Sequence, residues 1–293
     1  MHNFYRRVQL NKYLRLIRFD KPIGTLLLLW PTLWALLIAF HGVIHFKIYL
    51  AFVLGVFLTR SAGCAINDFA DAKFDSQVKR TKLRPLVTGE LRGRDAIYVT
   101  ILLSVLALLL AVFCLQGKTL LWTIPALLIF TTYPFFKRFF PIPQLYLAIA
   151  FSIGMLMAFV EANLGVNLIA LLLFTANLFW VLAYDTIYAL VDIDDDVQIG
   201  IKTSAVTFGR FVNLIIICCY VLFILLMIIV GILANLTAIY WVSLIVACIL
   251  IAKVVVEIKD KQRDKCFKAF LFNNNIGLII FCGIALSYYF VIK

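Results

Sequence analysis

Charged side chains vanish from this chain in long blocks. No Asp, Glu, Lys or Arg occurs from Ala96 to Gly117, from Thr119 to Phe136, from Phe139 to Val160, from Ala162 to Tyr184, from Phe211 to Ala252 or from Ala269 to Ile292. A helix that crosses the hydrocarbon core of a bilayer needs about 20 mostly apolar residues. The block 211–252 is long enough for two such helices, with a turn near Gly231–Asn235, and two more apolar runs, Pro22–Phe46 and Ile48–Thr59, precede the others. In lipid only helices and closed barrels satisfy the backbone. The runs here are continuous rather than alternating, so they predict helices. The pattern predicts an all-α integral membrane protein with nine spans, near 23–41, 46–66, 96–116, 119–136, 143–161, 166–190, 211–231, 237–256 and 269–291. Little chain lies outside them, so 1–293 reads as one transmembrane domain.

Composition agrees: 64% of residues are hydrophobic and 14% charged, against roughly 25% charged in a soluble globule. The net charge of +12 is no sign of nucleic-acid binding, because the basic residues follow the loops. With the N-terminus in the cytoplasm, 24 of the 27 Lys and Arg fall on or near that side, leaving Lys47, Lys118 and Lys293 opposite. This asymmetry orients the protein by the positive-inside rule. Residues 1–21 lack the apolar core of a signal peptide and read as a basic amphipathic lead-in on the membrane surface. A bacterial inner membrane is the expected location. The seven cysteines show no metal-binding spacing.

The informative charges are the acids. Eight of the fifteen Asp and Glu fall in two short segments, Asn67–Asp75 and Asp185–Asp196, at the ends of spans two and six and therefore both cytoplasmic. Asp68, Asp71 and Asp75 are three and four apart; Asp185, Tyr188, Asp192 and Asp196 are three, four and four apart. On a helix each set shares one face. Crowded carboxylates repel one another and need a neutralising cation. Oxygen donors without His or Cys favour Mg²⁺ or Ca²⁺, and Mg²⁺ shared between carboxylates and phosphate oxygens makes a diphosphate site. The neighbouring cytoplasmic loops hold cations suited to phosphate oxygens: Lys79–Arg84, Lys137 with Arg138, and Lys202. Segments 67–95 and 191–210 are expected to fold over the site as short helical caps. Arg60, inside span two, is open between pairing with an acid and snorkelling to the interface.

The motifs NDxxDxxxD at 67–75 and YDTxYAxxDxxDD at 184–196 resemble the UbiA superfamily of intramembrane prenyltransferases. Other pieces agree from about residue 10 to 290: Arg18–Gly24, Trp30-Pro31 with Trp34, Arg84-Pro85-Leu86, Tyr133 with Lys137, Phe267–Phe270 and Asn273–Asn275. Lys202-Thr203-Ser204 departs from the Lys-Ser of the family pattern. The resemblance implies nine helices ringed about a central cavity and Mg²⁺-dependent transfer of a polyprenyl chain from its diphosphate to an aromatic ring. By that resemblance Asp68, Asp71 and Asp75, with Asn67 beside them, bind one Mg²⁺; Asp192 and Asp196 bind a second, with Asp185 and Asp195 as further ligands. Asp71, Asp75, Asp192 and Asp196 are the residues on which catalysis depends. Tyr133, Lys137 and Arg138 contact the diphosphate, with Tyr188 and Lys202 beside the site, and Arg18 or Arg138 meets the acceptor's carboxylate. The DKPIG and YDTxYA segments point to the branch that uses 4-hydroxybenzoate, in ubiquinone biosynthesis. Homogentisate and dihydroxynaphthoate are alternative acceptors. An ion-coupled transporter is the rival from another class, though its acids belong near mid-span.

Overall fold

The computed structural model describes residues 11–136 and 138–292. In chain order the helices are α1 (Lys12–Leu16), α2 (Ile23–Ala39), α3 (Phe46–Asp75), α4 (Gly93–Cys114), α5 (Gly117–Leu121), α6 (Thr123–Phe136), α7 (Pro143–Glu161), α8 (Leu168–Val191), α9 (Ile193–Ile199), α10 (Ser204–Phe208), α11 (Val212–Leu233), α12 (Ala238–Glu257) and α13 (Arg263–Ile292). There is no strand among the described residues. Among the described residues eight helical segments are long and apolar enough to cross a membrane, and the chain is a multi-pass membrane protein. The span expected at 23–41 appears as α2, an apolar helix of 17 residues. It stops where His41 and Gly42 turn to positive φ (50° and 78°), a conformation that cannot continue a right-handed helix.

The span expected at 119–136 is two helices, α5 and α6, meeting at Trp122. Pro125, in the first turn of α6, has no N–H to carry α5's hydrogen-bond ladder across the join. The segments expected as caps divide differently. Asn67–Asp75 continues α3, and residues 76–92 form successive turns without a helix. Residues 191–210 do hold two short helices, α9 and α10.

Lipid provides no hydrophobic drive between helices, so close packing and polar pairing hold the bundle. Fully buried alanines (Ala35, Ala62, Ala148, Ala176, Ala183, Ala247) allow close approach. Leu102, Leu109, Phe113, Leu214, Val221 and Ile249 face outward. α8 packs against α7, α11 and α13; α13 also lies on α2 and α12, and α3 pairs with α4.

At the centre, Trp34, Trp180 and Phe223 stack with centroids 5.2–6.3 Å apart. Their polar edges are satisfied within the core. Asn273 Oδ1 accepts from Trp180 Nε1 (3.2 Å) and Tyr220 Oη (2.7 Å). Asn274 Oδ1 accepts from Trp30 Nε1 (2.8 Å).

Gly277 makes the junction possible. A Cβ there would lie 2.6 Å from Trp30 and 2.8 Å from Trp180, while its carbonyl accepts from Trp34 Nε1 at 3.2 Å. Gly277→Ala is therefore expected to destabilise the protein by about 1–3 kcal/mol through overpacking. Thermal unfolding in detergent measures the loss, and an unchanged melting temperature would refute the tight junction.

Candidate active site

The extension of α3 aims its acids inward. Asp68, Asp71 and Asp75 are buried, whereas Phe69 and Lys73 are exposed, as the three- and four-residue spacing requires. Arg18 grips Asp68 with one nitrogen 2.6 and 2.9 Å from the two carboxylate oxygens. Arg84 reaches Asp68 at 3.0 Å and also pairs closely with Asp75. Arg18 holds a left-handed backbone (φ 59°). That conformation is costly for a residue with a Cβ and persists where surrounding contacts fix it. Burial works against the Arg18 charge, but Asp68 foremost, together with Cys64 and Tyr188, holds the guanidinium above its ordinary pKa. Nearby Lys21 is pushed down, by burial first and then by Arg18.

The second row is broken. Asp185 and Tyr188 lie on α8, Asp192 sits between α8 and α9 with φ −111° and ψ 9°, and Asp195 and Asp196 lie on α9. The single helical face predicted for 185–196 therefore bends at Asp192. Carboxylates at 194–196 favour a fresh helix start there, since they meet the positive end of the α9 dipole. Arg80 donates from Nε (2.9 Å) and a terminal nitrogen (2.6 Å) to Asp192 Oδ2 and lies 4.6 Å from the Tyr188 ring centroid. Burial lowers the pKa of Arg80, yet Tyr188 and Asp192 carry it above the ordinary value. The other oxygen, Asp192 Oδ1, is buried and has no hydrogen-bond partner among the described residues. Asp195 Oδ2 accepts from the Lys79 amide (3.3 Å) and from Arg263 (3.2 Å). The 76–92 loop thus touches both rows, Arg84 on the first and Arg80 on the second, and brings them to one end of the bundle. Among the described residues no three His, Cys, Asp or Glu converge on one point suited to a metal.

Beneath the acids lies a cavity of about 640 Å³. Its charged mouth includes Arg18, Asn67, Asp68, Arg84, Tyr133, Asp185 and Tyr188. Its body is apolar, with Phe52, Val56, Leu108, Leu127, Phe130 and Met157. Other predicted residues are placed elsewhere. Arg138 donates to the Ala70 carbonyl (3.1 Å) and Lys202 to the Phe139 carbonyl (3.2 Å), and neither lines the cavity. Lys137 lies outside the described residues, as do residues 1–10 of the lead-in.

Arg60 is the functional candidate that the sequence reading left unassigned. It lines the cavity with its guanidinium 5.7 Å from the Phe151 ring centroid, and among the described residues it forms no ion pair. Gly24 leaves it room: a Cβ there would fall 2.7 Å from a guanidinium nitrogen. A lone arginine within an apolar span was the available signal, since such charges mark function by default. Its position seven residues before Asn67 places it two turns along the same helix face.

The sequence profile of the UbiA prenyltransferase family matches residues 28–276. The 4-hydroxybenzoate octaprenyltransferase of Neisseria meningitidis serogroup C / serotype 2a is 49% identical over 276 residues, covering 94% of this chain and 93% of that protein. Among solved structures, the apo structure of a UbiA homolog from Aeropyrum pernix K1 has a TM-score of 0.78 at 26% identity, covering 88% of this chain and 97% of that one. A UbiA homolog from Archaeoglobus fulgidus bound to GPP and Mg²⁺ has a TM-score of 0.68 at 20% identity, covering 94% and 100%.

Arg84 compensates two carboxylates, so Arg84→Gln is expected to cost about 1–3 kcal/mol by leaving buried acceptors short of a partner. Adding Asp75→Asn to that variant should recover part of the loss. Chemical or thermal unfolding of the single and double variants checks this, and strictly additive losses would count against the shared pairing.

Proposed function

Because this chain belongs to the UbiA prenyltransferase family, we propose that it transfers a polyprenyl chain from a polyprenyl diphosphate to 4-hydroxybenzoate, at the ring carbon ortho to the hydroxyl. The observation that carries this reading is the two-part cavity, a charged mouth between the Asp rows over an apolar body. An amphiphilic donor matches both halves. Arg60, which lies in the cavity and forms no ion pair among the described residues, supports an acidic acceptor.

The residues present fit a hard divalent cation. The donor set beside the mouth is all oxygen, from Asp68, Asp71 and Asp75 on one row and Asp192 and Asp196 on the other. Asp192 also keeps a buried oxygen without a hydrogen-bond partner among the described residues. Mg²⁺ held by these carboxylates would neutralise the diphosphate and make it a better leaving group.

The chain's own groups account for the remaining roles. Arg18, Arg80 and Arg84 stand at the mouth, where their guanidinium forks suit phosphate oxygens. Tyr133 and Lys137 complete the diphosphate contacts, whereas Arg138 and Lys202 support the surrounding loops through backbone carbonyls. The C–O bond of the allylic diphosphate breaks, and the apolar wall keeps water from the resulting cation. Phe52 and Phe130, aromatic residues of that wall, stabilise the charge through their rings. Arg60, which lines the cavity and forms no ion pair among the described residues, binds the acceptor's carboxylate, in place of the Arg18 or Arg138 expected from the sequence. The ring carbon then forms the new C–C bond, and Asp185, at the cavity wall, takes the displaced ring proton. Positive-inside asymmetry supports a cytoplasmic mouth, and the bacterial inner membrane is the proposed setting.

The test is transfer of labelled 4-hydroxybenzoate into a lipid-extractable product by purified protein with a polyprenyl diphosphate. The expected result is product only when Mg²⁺ is added; a folded protein that instead prenylates homogentisate or dihydroxynaphthoate overturns the acceptor. Asp71→Asn should abolish turnover, and near-normal activity in that variant sinks the metal assignment.

Arg60→Ala should raise the KM for 4-hydroxybenzoate tenfold or more, the value of roughly one charge-assisted hydrogen bond, and leave the KM for the diphosphate unchanged. Steady-state kinetics with each substrate varied in turn separate the two constants. An equal rise in both would move Arg60 to the diphosphate.

A further inference from the structure

The seven-residue α9 carries Asp196 and is set off from α8 by the break at Asp192 and from α10 by the left-handed turn at Gly200 (φ 71°). It packs on α10. Two turns of helix have little cohesion of their own, so its placement depends on side-chain ties. Two such ties lie among the described residues, and one is Asp192 to Arg80. The other is Asp195, whose Oδ2 takes both the Lys79 amide at 3.3 Å and the Arg263 guanidinium at 3.2 Å. Three separate parts of the chain meet at that one oxygen: α9, the 76–92 loop, and the first residue of α13. The last is a firm base, because α13 is seated against α2, α8 and α12. Asp194, next in sequence, is exposed.

The consequence is geometric. Lys79 precedes Arg80, so fixing the Lys79 amide fixes the root of the side chain that holds Asp192. The far end of the same loop is held by Arg84 on Asp68 and by Glu90 on Arg15 at 2.8 Å. The loop is therefore pinned at both ends, and the pin nearer the second Asp row belongs to Arg263.

We propose that Asp195 and Arg263 are positioning residues, a tether that sets α9 and the arginine-bearing loop over the cavity mouth. This rests on the reading of the site given above. It assigns Asp195 to holding the second row in place rather than to ligating metal, and it gives a role to Arg263, outside both Asp motifs.

The test uses the full chain in detergent with Arg263→Gln, Arg263→Lys, Asp195→Asn and the Arg263→Gln/Asp195→Asn double variant. Hydrogen exchange is read first, without metal or substrate. Amides of 76–92 and 193–199 should exchange about tenfold faster in Arg263→Gln and Asp195→Asn, as local opening of a tethered segment requires, and near the wild-type rate in Arg263→Lys. In the transfer assay both neutral variants should lose kcat with little change in KM for 4-hydroxybenzoate. The double variant should be no worse than the worse single, the signature of one shared interaction. Should Arg263→Gln fail to fold, Asp195→Asn carries the exchange measurement. Unchanged exchange in the folded neutral variants, or losses that multiply in the double variant, overturns the tether. So does weakened Mn²⁺ binding in Asp195→Asn that Arg263→Gln does not share, the pattern of a direct ligand. A wild-type protein inactive on 4-hydroxybenzoate that still shows the exchange differences would fail the acceptor reading and leave the tether standing.

Discussion

The site depends on one electrostatic constraint: carboxylates gathered at the edge of a low-dielectric bundle must be neutralised. A single acid at the bilayer centre costs roughly 2.5–3.5 kcal/mol on insertion scales, and repulsion within a row adds to that. The chain meets the constraint with arginine. Arg18 and Arg84 face the first row, Arg80 and Arg263 the second. Three of these four lie outside the regular helices, and the fourth opens α13. The cations thus sit on the parts of the chain freest to adjust, while most of the acids sit on helices. That division suits a site whose carboxylates exchange one set of cations for another as substrate arrives, with the guanidinium groups passing to phosphate oxygens.

Much of the fold was readable from the sequence because lipid imposes a simple rule on composition. Charge-free blocks of helical length gave the spans, and among the described residues eight of them return as helical segments long and apolar enough to cross a membrane, one of these in two pieces. The misses have local causes. Span 23–41 came out short because His41 and Gly42 end α2, and the span at 119–136 came out in two pieces because Pro125 breaks its ladder. Both are backbone effects that hydropathy does not register.

The site was legible in part. Three- and four-residue spacing placed Asp68, Asp71 and Asp75 on one buried face because α3 runs unbroken to Asp75. The same spacing at 185–196 suggested a single helix, but the run of acids after Asp192 favours a new helix start, so the second row turns a corner. Pairings between distant segments left no periodic trace. Arg18 with Asp68 spans 50 residues and Arg263 with Asp195 spans 68. Arg60 was visible as an oddity, and its seven-residue spacing from Asn67 put it on the face of the first Asp row, but the cavity it lines is built with side chains from distant helices that leave no periodic trace.

The two ends of the cavity are fastened by different physics. At the far end Glu161, buried at the close of α7, accepts from the Gln116 amide (3.0 Å) and Thr119 Oγ1 (2.6 Å), while its carbonyl accepts from Gln116 Nε2 (2.9 Å). These bonds hold the α4–α5 turn against α7, next to the cavity-lining residues Ala111, Leu115, Thr123 and Met157. The donors are neutral, and among the described residues Glu161 forms no ion pair, so an incoming ion finds no salt bridge to displace there. At the mouth the acids are tied chiefly by ion pairs to Arg18, Arg80, Arg84 and Arg263, which a divalent cation or a diphosphate competes for directly. A bundle fastened in this way stays closed where the apolar tail must be kept dry and can rearrange where charge must enter and leave.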